Sequence, residues 1–362
     1  MSAKDLTVVI PHYNHGTVLL RAVASVLAQR GVAAHILIVD DGSAREDRAV
    51  AQRLAGEHSS IDLLALPKNQ GVVAALNAGL AEVSTAFVAF LGADDLWLPD
   101  LAQTLIPLLE NHRDAAFVCS RVALLNRDGA MVDLRPFAVP ARNATYLPPH
   151  KVAERLRSSD NWILNSSVIY RTSHLRDIGG FDPALGSFCD ALVVRELAAR
   201  SGFCFSPQIL AAWTIGADSY SATTAQDPDA AMEQADRARK ALDRSTLADL
   251  FPDYGALHDR RLRFNVLRNY LGWREQDADP VKIAGLVHRN PKSVTARFTR
   301  SIASFSVARA PGRKALLACA TIIMRPYGWG TLIASAISNG LAFRRNRARV
   351  EKLVDELTAQ AK

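Results

Sequence analysis

The chain has 362 residues, of which 22% are charged and 49% belong to the apolar set. Both fractions are those of a folded globular protein, so disordered and collagen-like chains are excluded, and the length predicts about two domains. The four cysteines are scattered without a CxxC pair, which excludes a zinc ribbon and disfavours a disulfide scaffold. The first residues do not form a secretory signal, so we expect a cytoplasmic location.

The net charge of +7 is unevenly distributed. Residues 258–349 contain 18 Lys and Arg against 4 Asp and Glu, a balance of +14, so the rest of the chain sums to −7. A basic region of this kind suits an anionic partner such as nucleic acid, lipid or an anionic substrate. A solvated helical face is the alternative.

Two apolar stretches, 315–324 and 331–343, lie inside the basic region. Neither reaches the roughly 20 residues that span a bilayer, and flanking arginines are typical of helices that lie in a membrane interface. Three interpretations stay open: a peripheral contact of residues 309–349 with the inner face of the cell membrane, two core helices that pack on each other, and a homodimer interface.

The first 120 residues alternate between strand and helix patterns. This rhythm predicts an α/β domain around a mostly parallel sheet, in which ligands bind at the carboxyl ends of the strands. The predicted strands are 6–10, 36–39, 61–66, 86–91 and 115–119, and the predicted helices are 18–27, 46–57, 71–82 and 99–110.

The pattern becomes less regular after residue 120. Four prolines in 121–160 predict a loop-rich stretch that could cover a site, followed by a strand over 166–170 and a helix over 190–200. Two short strands, 203–205 and 209–214, precede a chain that is helical from 226 onward. We therefore predict an α/β domain over 1–225 and a basic, mainly helical region over 226–362.

Polar residues follow the first two predicted strands. Tyr13 offers a flat ring and Asn14 a donor and an acceptor, while Pro11 removes a backbone donor and is predicted to end the strand. After the second strand, one carboxylate of the Asp40–Asp41 pair could accept the N–H of a base while the other binds backbone amides. Each cluster alone could be a simple turn.

The third and fourth strands are followed by groups that suit phosphate and metal. Lys68 and Asn69 precede a helix N-terminus, which is a place to hold phosphate, although singly they are turn residues. Asp94 and Asp95 are hard oxygen ligands for Mg²⁺ or Mn²⁺ held together with substrate phosphates; helix capping would need one Asp, not two. Together the four clusters describe a nucleoside-diphosphate site.

Four stretches, in their order and spacing, resemble the family 2 inverting glycosyltransferases of the GT-A fold over residues 5–220: VVIPHYNHG, ILIVDDGS, KNQGVVAALNAG and FLGADDLWLPD. The resemblance implies a Rossmann-like, mostly parallel mixed sheet flanked by helices. It also implies a UDP- or dTDP-sugar donor, Mg²⁺ or Mn²⁺, and a hydroxyl on a glycan or lipid-linked acceptor.

Carried over by position, the resemblance assigns roles to individual residues. Pro11, Tyr13 and Asp41 contact the base, with Asp41 accepting from its ring N–H, and Asp94 binds the metal with Asp95 as a second candidate. Asn14, Lys68 and Asn69 complete the predicted nucleotide-sugar site.

The match of GGFDPALGSFCDALVVRELAARSG to the family pattern makes Asp190 the predicted catalytic base, with Asp182 as a rival that we assign to a turn with Pro183. The chain departs from the family at Gly92, where an Asp is common, and at Cys189, where a Glu is common. No Arg or His stands in 213–221, where the family has a phosphate-contacting loop.

The chemistry implied is a single displacement. A carboxylate removes the acceptor proton during attack on the anomeric carbon; a retaining route needs a second carboxylate as nucleophile, and the sequence offers no clear one.

Three alternatives are a non-catalytic GT-A-fold binding or scaffold protein, a nucleotidyltransferase, for which PHYNHG is a poor phosphate loop, and nucleic-acid binding by the basic region. No recognised nucleic-acid module is present, and we expect the aromatics of this region to be core residues: Phe264, Tyr270, Trp273 and Phe298.

Overall fold

A computed structural model of the protein describes residues 6–159, 165–215, 227–273, 278–290, 292–307, 310–327 and 329–361. The chain divides into two compact units, one made of 1–215 with 333–362 and the other of 216–332. This division differs from the predicted boundary at 225, because the last part of the chain returns to the first unit.

The first unit is built on a mixed sheet. The order is β3-β2-β1-β4-β9-β6-β10-β5, with β7 beside β6 and β8 beside β10. Strands β1 to β4 pair in parallel, β9 runs antiparallel to both neighbours, and β10 is parallel to β6. The strands in the described residues are β1 Leu6–His12, β2 His35–Asp40, β3 Ile61–Ala65, β4 Phe87–Phe90, β5 Leu96–Trp97, β6 Phe117–Leu125, β7 Met131–Arg135, β8 Thr145–Leu147, β9 Ile169–Arg171 and β10 Phe203–Thr214.

Helices flank this sheet and cover its apolar strands. Helix α3 approaches β1 so closely that a Cβ on Gly79 would lie 2.4 Å from Cγ1 of Val9. The helices are α1 Gly16–Leu27, α2 Arg45–Glu57, α3 Val72–Glu82, α4 Leu101–Glu110, α5 Pro149–Ser158, α6 Thr172–Asp177 and α7 Cys189–Ser201, with 3₁₀ turns at Asn165–Ser167 and Pro183–Phe188. The predicted α/β class is confirmed.

Strand β1 continues through Pro11 to His12, two residues beyond its predicted end. The N–H of Asp41 donates to the His12 carbonyl, and the N–H of Leu91 donates to the Val9 carbonyl. Alternate residues of β1 therefore face β2 and β4, and Pro11 faces β4, where pairing already ends at Val9. The N–H that Pro11 lacks is therefore not part of the β1–β4 ladder.

The predicted loop over 121–160 is wrong. It contains the second half of β6, β7, β8 and α5. Arg121 gave β6 a polar appearance, but its guanidinium is buried and donates to Asn339, 218 residues away. Two other predictions need correction: residues 165–167 form a 3₁₀ turn before a short β9, and 203–214 form one irregular strand, not two.

The second unit is helical in its described residues. Phe264 and Tyr270 lie in its core, as expected, whereas Phe298 is 67% exposed, so that expectation is wrong for Phe298; the side chain of Trp273 lies outside the described residues. The helices are α8 Pro228–Leu242, α9 Thr246–Leu250, α10 Tyr254–Trp273, α11 Pro280–Val287, α12 Val294–Ser306 and α13 Ala310–Met324.

The last helix, α14 (Trp329–Gln360), belongs to the first unit from residue 333 onward. Val350 and Val354 pack in an apolar cluster with β5, β6 and β10, and the Glu351 carboxylate accepts from Met131 N at 3.0 Å. Among the helices that the structure describes, none has the length and hydropathy needed to cross a membrane.

Candidate functional site

The loops after β1, β2, β3 and β4 lie at one edge of the sheet, because these four strands run parallel. Gly42, with φ of +74°, brings two of the loops together. A Cβ at this position would lie 2.5 Å from Asn69 N and from Lys68 C, so the turn after β2 rests directly on the loop after β3. Glycine meets both the backbone and the space requirement.

Asp41 fastens the same two loops. Its buried carboxylate accepts hydrogen bonds from Gln70 N at 2.7 Å and from Gly71 N at 2.8 Å. A carboxylate has about four lone-pair sites, so Asp41 retains acceptor capacity for the predicted base contact while it shapes the loop.

Some of the neighbouring residues hold the loops in place, and others are exposed and can contact a ligand. Asp40 accepts from Arg48 Nε at 2.7 Å and from Ser43 N at 3.2 Å, and Asn14 Oδ1 accepts from Ala44 N at 2.8 Å, so both tie the β2–α2 turn in place. Tyr13 is 43% exposed at this edge, where its ring can stack on a planar ligand, and Pro11 is half-buried beside it.

Lys68 and Asn69 lie on the exposed loop before α3. Asn69 Oδ1 accepts from Gly71 N at 3.0 Å, the same N–H that donates to Asp41. The N–H groups of Gln70 and Gly71 are already engaged, so the exposed Lys68 ammonium is the cation of this loop that an anion could meet.

Asp95, between β4 and β5, is held on both oxygens. Thr214 N donates to Oδ1 at 3.1 Å and Ser166 Oγ donates to Oδ2 at 2.5 Å. Burial, and then the neighbouring Asp94 carboxylate, raise the pKa of Asp95 well above its usual range. Sequence reasoning missed Ser166 and assigned no such contact to Thr214, because both residues are distant in sequence from Asp95, one in a 3₁₀ turn and the other at the end of β10.

The two carboxylates suit a divalent cation. Asp94 Oδ1 and Asp95 Oδ2 each lie 3.1 Å from the place that a Cβ on Gly92 would occupy. A dication would offset the repulsion that raises the Asp95 pKa, and Mg²⁺ commonly takes one or two carboxylates together with substrate phosphates. Among the described residues no group of three or more His, Cys, Asp and Glu forms a complete protein site.

Asp190 lies in the first turn of α7, where the helix dipole favours a negative charge. It is half-buried, and burial raises the pKa of its carboxyl against the opposing effects of the Ala191 N–H and the Arg195 guanidinium. Burial also raises the pKa of Cys189 to about 12. The thiol that stands in place of a family carboxylate is therefore neutral at physiological pH and adds no charge beside Asp190.

The 3₁₀ turn Asn165–Ser167 and Tyr170 connect Asp190 to the carboxylate pair. Ser166 binds Asp95, while Asn165 Oδ1 accepts from the Tyr170 hydroxyl at 2.7 Å. Burial, and next the charge of Asp190, raise the pKa of Tyr170, so the Asp190 carboxylate lies within electrostatic reach of that phenol. One short segment, 165–170, therefore contacts Asp95 directly and lies within electrostatic reach of Asp190.

The loop that leads to Asp190 is clamped to α3. Asn77 Nδ2 donates to the Phe181 carbonyl at 2.7 Å, and Phe181 N donates to Asn77 Oδ1 at 2.9 Å. Asp182 is exposed and its carboxylate accepts from Ala184 N at 2.9 Å, which is the turn role assigned to it. The predicted loop residues 219–221 lie outside the described residues.

His12, at this edge of the sheet, should make the free energy of unfolding depend on pH. It is 1% exposed, neither ring nitrogen has a hydrogen-bond partner among the described residues, and burial lowers its pKa despite the nearby Asp40. The unfolded chain takes up this proton near pH 6.5, while the folded protein takes it up at lower pH. Unfolding free energy should therefore fall as pH drops below 6.5, by at most about 1.4 kcal/mol per unit from this group.

Denaturant unfolding of wild type and His12→Phe at several pH values checks this prediction. The variant should show a shallower loss of stability between the unfolded and folded pKa values of His12, and the same substitution at the exposed His150 controls for adding a phenylalanine. Parallel slopes for wild type and His12→Phe would contradict the prediction.

The sequence and the fold are similar to those of known glycosyltransferases. The model of the family Glycosyl transferase family 2 matches residues 7–157. The chain is 31% identical over 228 residues to the pre-mycofactocin glycosyltransferase of Mycobacterium tuberculosis, covering 58% of this chain and 43% of that protein. It is 29% identical over 170 residues to the succinoglycan biosynthesis protein ExoO of Rhizobium meliloti, covering 47% and 44%.

The chain thus spans less than half the length of these two curated relatives. Among solved structures, residues 1–349 of S. aureus TarS in complex with UDP-GlcNAc superpose with a TM-score of 0.59 at 14% identity, covering 90% of this chain and 93% of that one. At this identity the likeness concerns the fold. Residues 7–157 therefore match glycosyl transferase family 2, and the chain has the GT-A fold of this structural neighbour.

Proposed function

We propose that the protein transfers a sugar from a nucleoside-diphosphate sugar to a hydroxyl group of a glycan or lipid-linked saccharide, with inversion at the anomeric carbon. One observation carries the proposal. The segment Asn165–Tyr170 binds Asp95 through Ser166, and its Tyr170 phenol lies within electrostatic reach of Asp190, which follows Asp95 by almost a hundred residues.

Asp190 is the group suited to act on the acceptor. A sugar hydroxyl is a poor nucleophile at neutral pH, and a carboxylate within hydrogen-bond reach can take its proton as the new bond to the anomeric carbon forms. Burial raises the pKa of Asp190, which makes it a stronger base than an exposed aspartate, and the Ala191 N–H and the Arg195 charge partly oppose this rise. One base on one face of the sugar is the requirement of a single displacement.

A second group of residues, at the ends of strands β1 to β4, would bind the donor. Tyr13 and Pro11 border the place for the base, Asp41 can accept its ring N–H, and Lys68 supplies a cation for the diphosphate. Asp94 and Asp95 would hold a divalent cation, which neutralises charge that grows on the departing diphosphate. Of the remaining predicted contacts, Asn14 ties the loop after β1 to the β2–α2 turn, and Asn69 shapes its own loop before α3.

The relatives support the substrate classes. ExoO is named for succinoglycan biosynthesis, and TarS was solved with UDP-GlcNAc. A uridine nucleotide and a polysaccharide or saccharide-lipid acceptor are accordingly the first substrates to test, and the sequence-predicted membrane contact of 309–349 would place the enzyme beside such an acceptor.

A non-catalytic binding protein of the same fold is the second candidate. Gly92 and Cys189 favour it, because each replaces a carboxylate that the family commonly has, and the Cys189 thiol is neutral. The intact Asp94–Asp95 pair and the elevated pKa of Asp190 favour the enzyme.

Calorimetric titration with UDP, dTDP and GDP, each with and without Mn²⁺, tests the donor half of the proposal. We expect one of the three nucleotides to bind, and to bind more tightly with the metal, which names the base of the donor. A folded sample that binds none of them would contradict the proposed donor site and favour the binding-protein alternative.

A further inference from the structure

Helix α12 buries its small residues and exposes its large apolar ones, which is the reverse of the usual arrangement. The small residues Ala296 and Ala303 are completely buried. The large apolar side chains of the helix are instead exposed, to 72% at Val294, 67% at Phe298, 38% at Ile302 and 89% at Phe305. A surface helix normally buries its large apolar side chains, so packing within the second unit does not account for this face.

These four residues, which we call the α12 stripe, form one continuous strip. At 100° per residue they fall within about 80° around the helix axis and extend over about 16 Å. Helix α13 is similar, since Ile322 is 61% and Ile323 is 52% exposed while Leu316 and Met324 are buried. Two successive helices therefore present apolar side chains outward.

The charge of this segment selects the class of partner. Residues 292–325 contain seven Lys and Arg and no Asp or Glu. Arg297 is exposed and lies about 60° around the helix axis from the edge of the α12 stripe, whereas Arg300 is half-buried near the opposite face of the helix. An apolar strip in a segment whose charges are all basic is the pattern of a helix that lies in a membrane interface, with Arg297 beside the strip able to reach the phosphates of the headgroups.

Other occupants suit the α12 stripe less well. A two-fold dimer through this face would bring the same uniformly basic segment of two copies together, and like charges across an interface are costly. Single-stranded nucleic acid stacks its bases on aromatic rings, but half of the stripe is the aliphatic pair Val294 and Ile302. An anionic lipid surface satisfies both the apolar and the basic groups.

We propose that the α12 stripe is a membrane-docking surface for anionic lipid, with its side chains at the level of the acyl-chain boundary. This contact begins before residues 309–349, which the sequence pattern singles out. It is independent of the proposed sugar transfer, because it uses no residue of the candidate site.

Co-sedimentation of the full chain with vesicles tests the proposal. Wild type should sediment with phosphatidylcholine vesicles that contain phosphatidylglycerol and less with phosphatidylcholine alone. The Phe298→Ser/Phe305→Ser variant should lose at least about tenfold in partition coefficient. Both side chains are largely exposed, so the fold should persist, and circular dichroism with the thermal midpoint checks this.

Two further variants separate the apolar and electrostatic contributions. Arg297→Ser should weaken binding by about fivefold and make it less sensitive to salt. Val281→Ser removes a 54% exposed apolar residue from α11 and is the matched control that should bind as wild type.

Three results would overturn the proposal. The double phenylalanine variant could bind vesicles as wild type does. Wild type could fail to bind vesicles and form a dimer that the double phenylalanine variant does not form, which would assign the stripe to a second copy. Wild type could ignore vesicles and bind an oligothymidylate through the stripe, which would assign it to nucleic acid. Titration of nucleotides in each variant keeps the outcome separate from that of the donor site.

Discussion

The Asp190→Asn variant should turn over its substrates about 10² to 10⁴ times more slowly than wild type, with nucleotide affinity unchanged. This is the range that a positioned general base contributes, and the base acts on the acceptor, not on the donor. The asparagine carbonyl can still accept from Ala191 N, which now donates to the Asp190 carboxylate at 2.6 Å, so α7 should keep its first turn. Single-turnover kinetics and nucleotide titration measure the two effects separately.

The pH profile provides a second readout of the same residue. A general base works only when it is ionised, so activity is lost as pH falls through its pKa. Because burial raises the pKa of Asp190, the acid limb of kcat/KM should lie above the value of about 3.9 that is usual for aspartate. An enzyme whose base is an exposed carboxylate would show this limb at lower pH.

Asp182→Asn is the matched control. It is the other aspartate of this segment, it is exposed, and its carboxylate caps the turn Pro183–Phe188. We expect its turnover to be near that of wild type. If Asp190→Asn lost nucleotide binding to the same extent as turnover, or if Asp182→Asn were the slower enzyme, the assignment of the base would be wrong.

The strand ends were predictable because both signals are local. A buried apolar run followed by Tyr13, by Asp41 or by Asp94 gives the strand and the polar group in adjacent residues, and parallel pairing then places the groups at one edge. Pro11 made the predicted end of β1 two residues too early. Whether a proline interrupts a strand depends on which neighbouring strand its backbone faces, and Pro11 faces β4 beyond the point where pairing ends.

Contacts between distant parts of the chain were not predictable in this way. Ser166 and Thr214 hold Asp95 from 71 and 119 residues away, and Asn77 holds Phe181 from 104 residues away. Arg121 is buried in β6 because Asn339 of α14 accepts from it. Such partners are chosen by tertiary packing, and no spacing rule within a single sequence identifies them.

The exposed face of α12 shows a different limit. Apolar periodicity indicates that one face of a helix is buried, but it does not indicate whether the protein itself or another partner covers that face. Phe298 carries the same signal as the buried Phe264, and only the structure distinguishes their environments.

The Asp94→Ala variant should lose most of the metal-dependent part of its nucleotide affinity, by about tenfold or more, which corresponds to at least 1.4 kcal/mol. Its carboxylate is half-buried, and the Thr214 hydroxyl binds its backbone carbonyl at 2.6 Å, leaving the side chain for a ligand. Titration of the nucleotide with and without Mn²⁺ gives the metal-dependent difference directly. Asp100→Ala, at a surface ion pair with Arg30, is the control that should not change it.

Asp95 should respond differently, because its two oxygens are tied to Ser166 and Thr214. Asp95→Ala would lose the anchor of this turn and lower both metal-free and metal-dependent affinity, whereas Asp94→Ala should affect only the latter. Ser166→Ala leaves the buried Asp95 with one donor fewer and should weaken metal-dependent binding by a smaller factor than Asp94→Ala. Equal affinities with and without Mn²⁺ in the wild type would contradict a metal site at this pair, and the Lys68 ammonium would then be the candidate cation for the diphosphate.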